Sequence, residues 1–449
     1  MPTKLLIANR GEIARRINRT ARRLDIETVA VFSDADADAP FVKEASSALR
    51  IGPPPPKESY ANVDAIVAAL KASGATALHP GYGFLSENER LVAACESLGV
   101  AFVGPTVAAM KAMAGKIESK ITMVAAGVPV VPGPIQALET EDDAVAAAEA
   151  AGWPVMLKAS AGGGGIGMAK CRNEKQLRSA FDDARKKGEL FFGSSRVFVE
   201  KCIEKPHHIE VQILADQFGN VHHLYERECS VQRRNQKVLE ETPSPLVDRF
   251  PGMRERLCSA AVSAARAVGY TNAGTVEFVG AEDGSFFFLE MNTRLQVEHP
   301  ITEMTTGVDL VELQLRVAAG ERFDSLPLKR HGHAIELRVC AEDPEKRFFP
   351  SPGTISEAVW PVGDGIRVDA GVESGSVVPP FYDSLLAKMI GHGSSRSEAI
   401  ARLLAALETT RVVGVKTNLE MHKKILANET FVRGETDTGF LEAALGLKS

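Results

Sequence analysis

The sequence predicts an α/β domain followed by a small and then a large α+β domain. Two observations support this prediction. Short apolar strands alternate with helices up to about Gly104, which is the pattern of a parallel sheet. Beyond that point come a short unit with a glycine run and a long strand-rich region. The 449 residues suit two or three domains, and 45% hydrophobic with 24% charged residues are typical of a globular protein.

In the first part, the alternation of strand and helix is regular. The pattern predicts strands over residues 4–8, 28–32 and 75–78. It predicts a turn at residues 9–12 that caps a helix running to about residue 24, and a second helix over residues 62–72. The proline run at residues 53–56 predicts a loop. The order is that of βαβ units in a parallel sheet.

The later parts change character. A helix is predicted over residues 107–126 and a proline-containing linker over residues 128–134. Next come predicted strands at 155–159, 168–171 and 197–201, with a helix at 174–187. The last part holds predicted strands at 209–214, 221–225, 273–279 and 286–291, and helices at 253–268 and 308–319. We therefore divide the chain into an N-terminal part (1–115), a lid part (116–202) and a C-terminal part (203–449).

Composition excludes several function classes. The 52 basic and 58 acidic residues give a net charge of −6, which argues against a nucleic-acid partner. The six cysteines form no CxxC pair, so we expect reduced thiols and a cytoplasmic protein rather than a disulfide frame or zinc site. No apolar run has the length of a signal sequence or membrane span, so no membrane partner is expected.

The glycine run AGGGGIG at residues 161–167 predicts a phosphate-binding loop. It matches the spacing GxGxxG and the outer glycines of a Walker A loop, but neither the following residues nor the following strand fits those motifs. Between two strands, backbone N–H groups of such a loop can converge on an anion. Lys158 just before it, and Lys116, are candidate counter-charges. The alternative is a flexible surface turn.

The predicted hairpin at residues 273–291 carries paired carboxylates. Strand alternation places Phe288, Glu290, Asn292 and Arg294 on one face, with Glu277 on the neighbouring strand close to Glu290. Facing carboxylates repel unless a cation lies between them, and oxygen ligands suit Mg²⁺. Two separately solvated glutamates are the alternative. Just beyond the hairpin, Glu298 is a candidate general base.

Two further segments have the composition of binding sites. The basic residues at 232–237 are flanked by glutamates, which favours a small anion over a nucleic acid. Adjacent histidines on a strand point to opposite faces, so the pairs at 207–208 and 222–223 are poor chelators. Only His208, which shares a face with Glu210 and Gln212, remains a site candidate.

Several motifs together resemble biotin carboxylases over essentially the whole chain. They are IANRGEIA at 7–14, HPGYGFLSEN at 79–88, KAS with the glycine run from 158, EMNTRLQVEHP at 290–300, and ELR and AEDP at 336–344. The resemblance implies an ATP-grasp fold with a Rossmann-like N-terminal domain, a lid and a mixed C-terminal domain. It implies that ATP phosphorylates bicarbonate to carboxyphosphate, which then carboxylates biotin, with Mg²⁺ or Mn²⁺ as the metal.

The resemblance also implies roles for individual residues. ATP contacts are expected at Lys116, Lys158, Gly163, Gly164, Gly165, Glu200, Lys201, Ile203, His208 and Asn235. Metal ligands are expected at Glu277, Glu290 and Asn292. Bicarbonate or biotin contacts are expected at Tyr82, Lys237, Arg294, Gln296, Val297 and Arg338. Glu298 matches the base that deprotonates bicarbonate, and Arg338 matches the residue that stabilises the biotin enolate.

Partners and the final acceptor are expected from the same resemblance. Lys111 lies in a sequence like a biotinylation motif, but the fourth residue differs and the segment is helical, so the biotin carboxyl carrier protein is expected to be another chain. A carboxyltransferase and a homodimer are also expected. Acetyl-CoA carboxylase is the favoured complex. Ile166 and Asn235 depart from the common family pattern, which leaves urea-, propionyl-CoA- and pyruvate-type carboxylases as alternatives.

Two other functions stay open at this point. One is a different ATP-grasp ligase that activates a carboxylate for attack by an amine, against which residues 290–300 argue. The other is a nucleotide-binding regulatory subunit with a decayed site. The intact set of Glu277, Glu290, Arg294, Glu298 and Arg338 argues against it.

Overall fold

The computed structural model describes residues 1–160 and 167–446. The predictions for Gly163, Gly164, Gly165 and Ile166 lie outside the described residues. Within the described residues, three large sheets have five, three and eight strands. No helix in this part of the chain is both long and apolar enough to span a bilayer.

The N-terminal part contains the parallel sheet that the sequence predicts. Its strands, in the spatial order β3-β2-β1-β4-β5, are β1 (Lys4–Ile7), β2 (Glu27–Ser33), β3 (Ser47–Gly52), β4 (Ala77–His79) and β5 (Ala101–Phe102). Its helices are α1 (Gly11–Arg23), α2 (Pro40–Glu44), α3 (Val63–Ser73), α4 (Glu89–Ser97) and α5 (Val107–Ala114). The strand order reverses between β1 and β4, and their carboxyl ends lead into the loops that carry Asn9 and Tyr82. Ligands of open parallel sheets bind at such a reversal.

The lid part is a three-stranded antiparallel sheet with helices. Its elements are α6 (Lys116–Ala125), α7 (Glu141–Ala151), β6 (Val155–Ala159), β7 (Met168–Cys171), α8 (Glu174–Phe192) and β8 (Val197–Lys201). The two strands predicted on either side of the glycine run are confirmed, and Lys158 on β6 pairs with Met168 on β7. The single helix predicted over residues 107–126 is wrong: it is divided at Gly115, whose extended backbone separates α5 from α6.

The C-terminal part is organised on one antiparallel sheet of eight strands. Their spatial order is β13-β12-β9-β10-β11-β14-β21-β19. The strands of this part are β9 (His207–Ala215), β10 (Val221–Arg233), β11 (Gln236–Thr242), β12 (Asn272–Gly280), β13 (Phe286–Asn292), β14 (His333–Cys340), β15 (Glu342–Asp343), β16 (Phe349–Pro350), β17 (Gly353–Thr354), β18 (Glu357–Val359), β19 (Ile366–Ala370), β20 (Val377–Val378), β21 (Leu385–Gly393) and β22 (Arg411–Val413).

Helices cover parts of this sheet. They are α9 (Pro245–Arg249), α10 (Met253–Ala267), α11 (His299–Thr306), α12 (Leu310–Ala318), α13 (Arg396–Thr409), α14 (Leu419–Leu426), α15 (Glu429–Val432) and α16 (Phe440–Leu445). Helix α10 packs its apolar side on β9 and β10, where Leu257 and Ala261 are buried against Val211. The opposite end of the sheet packs against α13.

Two local features of the sheet set the geometry of the site. Strands β10 and β11 are joined by Arg234 and Asn235, both with positive φ (49° and 62°). Asparagine tolerates this left-handed backbone because its short side chain can bond locally. The second feature is a bulge. Glu290 pairs with Glu277, but Phe288 pairs with Phe278, so Leu289 has no directly opposed partner. The bulge reverses the alternation at this point.

Candidate active site

A cavity of about 750 Å³ lies where the three parts of the chain meet. Most predicted site residues line it, although they come from distant positions in the sequence. These residues are Tyr82, Lys116, Lys158, His208, Asn235, Lys237, Glu277, Glu290, Asn292, Arg294, Gln296, Val297 and Arg338. The fold therefore gathers the N-terminal loops, the lid lysines and the strands of the eight-stranded sheet around one space.

Four predicted residues lie behind or beside the cavity wall. Glu298 is fully buried but contacts residues of the wall. Glu200 forms ion pairs with Lys158 and with Lys120 of α6. The Lys201 ammonium donates to the carbonyl oxygens of Gly152 and Trp153 at 2.8 and 3.1 Å, so its side chain is turned away from the site. Ile203 is half-buried and does not line the cavity.

Lys237 forms the centre of the charged cluster. Strand β11 carries it from the tight turn at Asn235 into the cavity wall. Its ammonium donates to Glu210, Glu277 and Glu298 at 2.6, 2.9 and 2.6 Å. Burial alone would lower the pKa of Lys237, but these carboxylates raise the pKa well above its ordinary value. Lys237 is therefore a fixed cation.

Glu298 is held in the ionised form. It ends the loop that follows β13 and directly precedes α11. One carboxylate oxygen accepts from Lys237, and the other accepts from Arg338 at 3.0 Å. Burial acts to raise its pKa, but Lys237, Arg338 and Arg227 outweigh burial and hold the pKa of Glu298 well below its usual range. The Glu298 carboxylate is therefore unprotonated.

Arg338 faces the cavity from the middle of β14. Its Nε donates to Glu240 at 2.6 Å, while its second contact is the bond to Glu298. Two carboxylates thus orient the planar guanidinium, which has five N–H donors to distribute among them and a ligand. The arrangement can stabilise negative charge that develops on a ligand oxygen.

Arg294 lies on the loop after β13 and is held by three partners. Its guanidinium donates to Asn292 at 2.9 Å, to Gln296 at 3.0 Å and to Glu87 at 3.0 Å. Glu87 also accepts from the backbone N–H of Thr293 at 2.9 Å. Gln296 in turn donates to Glu277 at 3.0 Å. The loop and the metal candidates therefore form one connected network.

The paired carboxylates lie where the sequence predicts, but one residue predicted on the same face of the sheet does not lie there. Glu277 and Glu290 are opposite each other on β12 and β13. Phe288 was predicted on the same face and is not: because of the bulge it is buried in the core with Phe278, and Leu289 lines the cavity instead. This prediction failed because simple alternation assumes an unbroken ladder.

The charges around this pair fit a divalent cation. Burial and the charge of Glu277 raise the pKa of Glu290, whose nearest cation is Lys116 at 3.8 Å. The Nε2 atom of His208 lies 3.2 Å from a carboxylate oxygen of Glu277. Carboxylate and amide oxygens of Glu277, Glu290 and Asn292 are the hard donors that Mg²⁺ prefers, and a cation there would relieve the repulsion between the two carboxylates.

Several residues of the network have no role assigned from the sequence. They are Glu87, Lys120, Glu210 and Glu240. Lys120 had a local signal, because it follows Lys116 by four residues and so lies on the same face of α6. Glu87 lies within the 79–88 motif. The partnerships of Glu210 and Glu240 depend on strand pairing between distant segments, which no local spacing reveals.

Three family models match most of the chain. The model described as "Biotin carboxylase, N-terminal domain" matches residues 1–110. "Carbamoyl-phosphate synthase L chain, ATP binding domain" matches residues 115–326. "Biotin carboxylase C-terminal domain" matches residues 336–443. The three models follow one another along the chain without overlap.

Individual proteins are similar over nearly the full length. Biotin carboxylase 2 of Bacillus subtilis is 52% identical, and the match covers 99% of this chain and 100% of that protein. A pyruvate carboxylase subunit of Methanothermobacter thermautotrophicus is 50% identical, covering 98% and 90%. The solved biotin carboxylase domain dimer of Hydrogenobacter thermophilus 2-oxoglutarate carboxylase, in complex with MgADP, ADP and bicarbonate, has a TM-score of 0.94 at 45% identity, covering 99% and 98%.

Proposed function

The chain belongs to the biotin carboxylase family of ATP-dependent ligases, and we propose that it uses ATP, Mg²⁺ and bicarbonate to carboxylate biotin on a separate carrier protein. The observation that carries this proposal is the cluster of Lys237, Glu298 and Arg338 in the cavity wall. It places a fixed cation, an ionised carboxylate and an oriented guanidinium within hydrogen-bond contact.

The lid lysines would bind the phosphates of ATP. Lys116 and Lys158 enter the cavity from α6 and β6, and phosphoryl transfer depends mainly on positioning and charge neutralisation. Gly163, Gly164 and Gly165 lie between two flanking residues that line the cavity, Lys158 and Met168. Their backbone N–H groups would cradle the phosphates. The backbone around Glu200, Lys201 and Ile203, together with His208 and Asn235, would also contact the nucleotide.

Glu277, Glu290 and Asn292 would hold the metal. When bound, Mg²⁺ supplies charge compensation for the triphosphate and the transferred phosphoryl group. Within the protein, Glu277 is already compensated by Lys237, His208 and Gln296. The protein therefore stabilises this carboxylate from one side and leaves Glu290 at the cavity surface.

Glu298 would deprotonate bicarbonate. Lys237, Arg294, Gln296 and the backbone at Val297 surround the same end of the cavity, where they can bind the anion in reach of Glu298. Deprotonation raises the nucleophilicity of the bicarbonate oxygen that attacks the γ-phosphorus of ATP. ADP leaves, and carboxyphosphate forms. Enclosure by the lid would protect this labile intermediate from water.

Biotin would be activated beside Arg338 and Tyr82. Carboxylation at the ureido nitrogen requires negative charge to develop on the ureido oxygen. Arg338 is a fixed cation for that charge, since Glu240 and Glu298 hold its guanidinium in place. Tyr82 also lines the cavity, from the loop after β4.

We also propose which carboxylase complex the chain belongs to and how the chain assembles. We favour an acetyl-CoA carboxylase, with a carboxyltransferase as second partner and a homodimer as the working form. The relatives named after pyruvate carboxylase and 2-oxoglutarate carboxylase keep other acceptors as the second candidate. The division at residues 115 and 202 is supported by the sheets of the described residues, none of which crosses either boundary.

The test is the ATPase activity of the purified full-length chain. We expect ATP hydrolysis that requires bicarbonate and Mg²⁺ and that free biotin stimulates. Hydrolysis that ignores both bicarbonate and biotin would contradict the proposal. A panel of other carboxylates with an amine acceptor tests the alternative of a different ATP-grasp ligase. Sedimentation velocity tests the homodimer, and the carrier chain that co-purifies identifies the acceptor.

A further inference from the structure

We propose that Glu12 and Lys388 are positioning residues for the biotin end of the cavity, where they fix the Tyr82 side chain and the Val297 carbonyl. The inference rests on the proposed biotin carboxylase reaction. It concerns two residues that do not belong to the charged cluster around Lys237. Both are buried, and their side-chain contacts end at residues that line the cavity.

Glu12 connects the N-terminal helix α1 to Tyr82. It lies in the first turn of α1 and is 4% exposed. The Tyr82 hydroxyl donates to one of its carboxylate oxygens. Tyr82 lies on the loop that leaves the parallel sheet after β4, where its backbone carbonyl is also held by the Asn9 amide at 2.8 Å. Tyr82 is therefore anchored at both its backbone and its hydroxyl.

Lys388 connects the same carboxylate to the loop after β13. It lies on β21 and is completely buried. Its ammonium is 3.2 Å from the second oxygen of Glu12 and donates to the Val297 carbonyl at 3.0 Å. It also lies 5.9 Å from the centre of the Tyr82 ring. The Lys388 ammonium thus lies close to both Val297 and Tyr82, which line the proposed biotin end of the cavity.

The strand register places Lys388 directly beside Arg338. Lys388 is opposite Arg338 in the antiparallel pairing of β14 and β21, and opposed residues share one face of a sheet. The backbone hydrogen bonds between β14 and β21 therefore fix the position of the Lys388 ammonium relative to the Arg338 guanidinium. Glu12 holds the Tyr82 side chain and Lys388 holds the Val297 carbonyl. The positions of both groups are therefore fixed relative to Arg338.

Stability alone does not account for this arrangement. Burying an ion pair incurs a desolvation cost that often equals its Coulombic gain, and apolar replacements are often neutral or stabilising. A buried pair whose other bonds both go to cavity-lining groups is better explained by geometry. Small displacements of substrate-positioning groups are costly to the rate of a reaction.

The experiment compares kinetics with free biotin in wild type, Glu12→Gln, Glu12→Ala and Lys388→Met. Glu12→Gln keeps an acceptor oxygen for Tyr82 but loses the charge, whereas Glu12→Ala loses both. We expect the KM for biotin to rise about tenfold in Glu12→Ala and less in Glu12→Gln, the size expected for loss of a hydrogen bond to a charged group. The KM for ATP should not change. In Lys388→Met, the KM for bicarbonate should rise as well, because the Val297 carbonyl loses its donor.

A double-mutant cycle separates positioning from a general structural effect. Tyr82→Phe removes the hydroxyl that donates to Glu12, so we expect its effect on biotin kinetics to vanish in the Glu12→Ala background. Glu44→Gln is the matched control, since it breaks the contact of Arg15 on the same helix α1 and should leave the KM for biotin unchanged.

The outcomes are distinguishable from failure of the proposed function. If wild type shows no stimulation by biotin, the proposed reaction itself is wrong. If wild type is stimulated but Glu12→Ala and Lys388→Met keep the wild-type KM for biotin, or if Tyr82→Phe and Glu12→Ala are additive, only the positioning inference is overturned. Should thermal unfolding show that Glu12→Ala does not fold, Lys388→Met decides: an unchanged KM for biotin in that variant overturns the positioning inference.

Discussion

At the scale of single residues, the chemistry depends on charges that are fixed before substrate binds. Glu298 contributes the clearest case, because two cations keep it ionised in a buried position. A sequence can suggest such a base from its motif, as it does here. It does not reveal the state of the base, which depends on Lys237 and Arg338, 61 and 40 residues away.

We expect Glu298→Gln to lose most bicarbonate-dependent ATP hydrolysis. The amide cannot accept the proton, and general base catalysis contributes about 10²- to 10⁴-fold. Steady-state rates at saturating ATP measure the loss, and nucleotide titration should show little change in ATP affinity. Glu303→Gln is a control, since Glu303 is a buried glutamate of the adjacent helix α11 that pairs with Arg16 and does not line the cavity. Near-normal turnover in Glu298→Gln would exclude it as the base.

The lid shows what local spacing can and cannot indicate at this scale. Lys158 is identifiable from the sequence because it precedes the glycine run, whereas Lys116 is expected at the site only from the resemblance to biotin carboxylases. The carboxylate that pairs with Lys158 cannot be identified in the same way. Glu200 pairs with Lys158 because β8 lies beside β6, and Lys120 of α6 reaches the same carboxylate.

At the scale of elements, the β12–β13 hairpin shows how a small irregularity shapes a site. Period-two alternation correctly places Glu277 opposite Glu290. It fails one residue further along, because the bulge at Leu289 directs Phe288 into the core. Bulges depend on how two strands twist and pack, so alternation within one strand does not predict them.

We expect Glu290→Gln to raise the Mg²⁺ concentration needed for half-maximal activity by about tenfold, because cation affinity follows the number of charged oxygen ligands. Titration of activity with Mg²⁺ and with Mn²⁺ measures the shift. Glu282→Gln is the matched control: it lies at the turn of the same hairpin, half-exposed and beside His207. An unchanged Mg²⁺ requirement in Glu290→Gln would remove Glu290 from the metal ligands.

At the scale of the whole molecule, buried ion pairs join the N-terminal part to the C-terminal part. Asp309 caps α12 by accepting from the N–H of Glu312 at 3.0 Å. It also accepts from Arg16 and Thr20 of α1 at 2.7 and 2.6 Å. Burial would raise its pKa, but Arg16 and the hydrogen bonds hold the pKa of Asp309 well below its usual value.

This lowered pKa gives a signed dependence of stability on pH. Since Asp309 is more acidic in the folded chain, its contribution is present above the ordinary aspartate pKa of about 3.9 and is lost as the pH falls through the folded value. We expect Asp309→Asn to lower the free energy of unfolding by about 1–3 kcal/mol near pH 7. The difference from wild type should shrink in acid.

Urea unfolding at several pH values measures this difference. Asp142→Asn is the control, because Asp142 is largely exposed and pairs with Arg178 on the surface. Surface pairs of this kind contribute little, so this variant should follow wild type at every pH. A constant difference between Asp309→Asn and wild type down to the acid limit would contradict the assignment of the lowered pKa.

The order of the domains could be predicted from the sequence, but the eight-stranded sheet could not. The parallel sheet, the hairpin beside the glycine run and the β12–β13 pair follow from local patterns. The eight-stranded sheet does not, since β11 pairs with β14 across residues 243–332 and β14 pairs with β21 across a further stretch. Non-local pairing of this kind is set by tertiary packing, which is why the region after residue 319 was predicted only as mixed.

That continuous sheet has a consequence for motion. Lys237, Glu277 and Arg338 lie on β11, β12 and β14, which belong to one continuous sheet, whereas Lys158 belongs to a separate three-stranded sheet. Amide hydrogen exchange in the two sheets should therefore differ: slow and uniform across β9 to β14, and faster in β6 to β8 until nucleotide is added. The groups of the proposed reaction would then stay fixed on the eight-stranded sheet, while only the lid sheet that carries Lys158 opens to admit the phosphates.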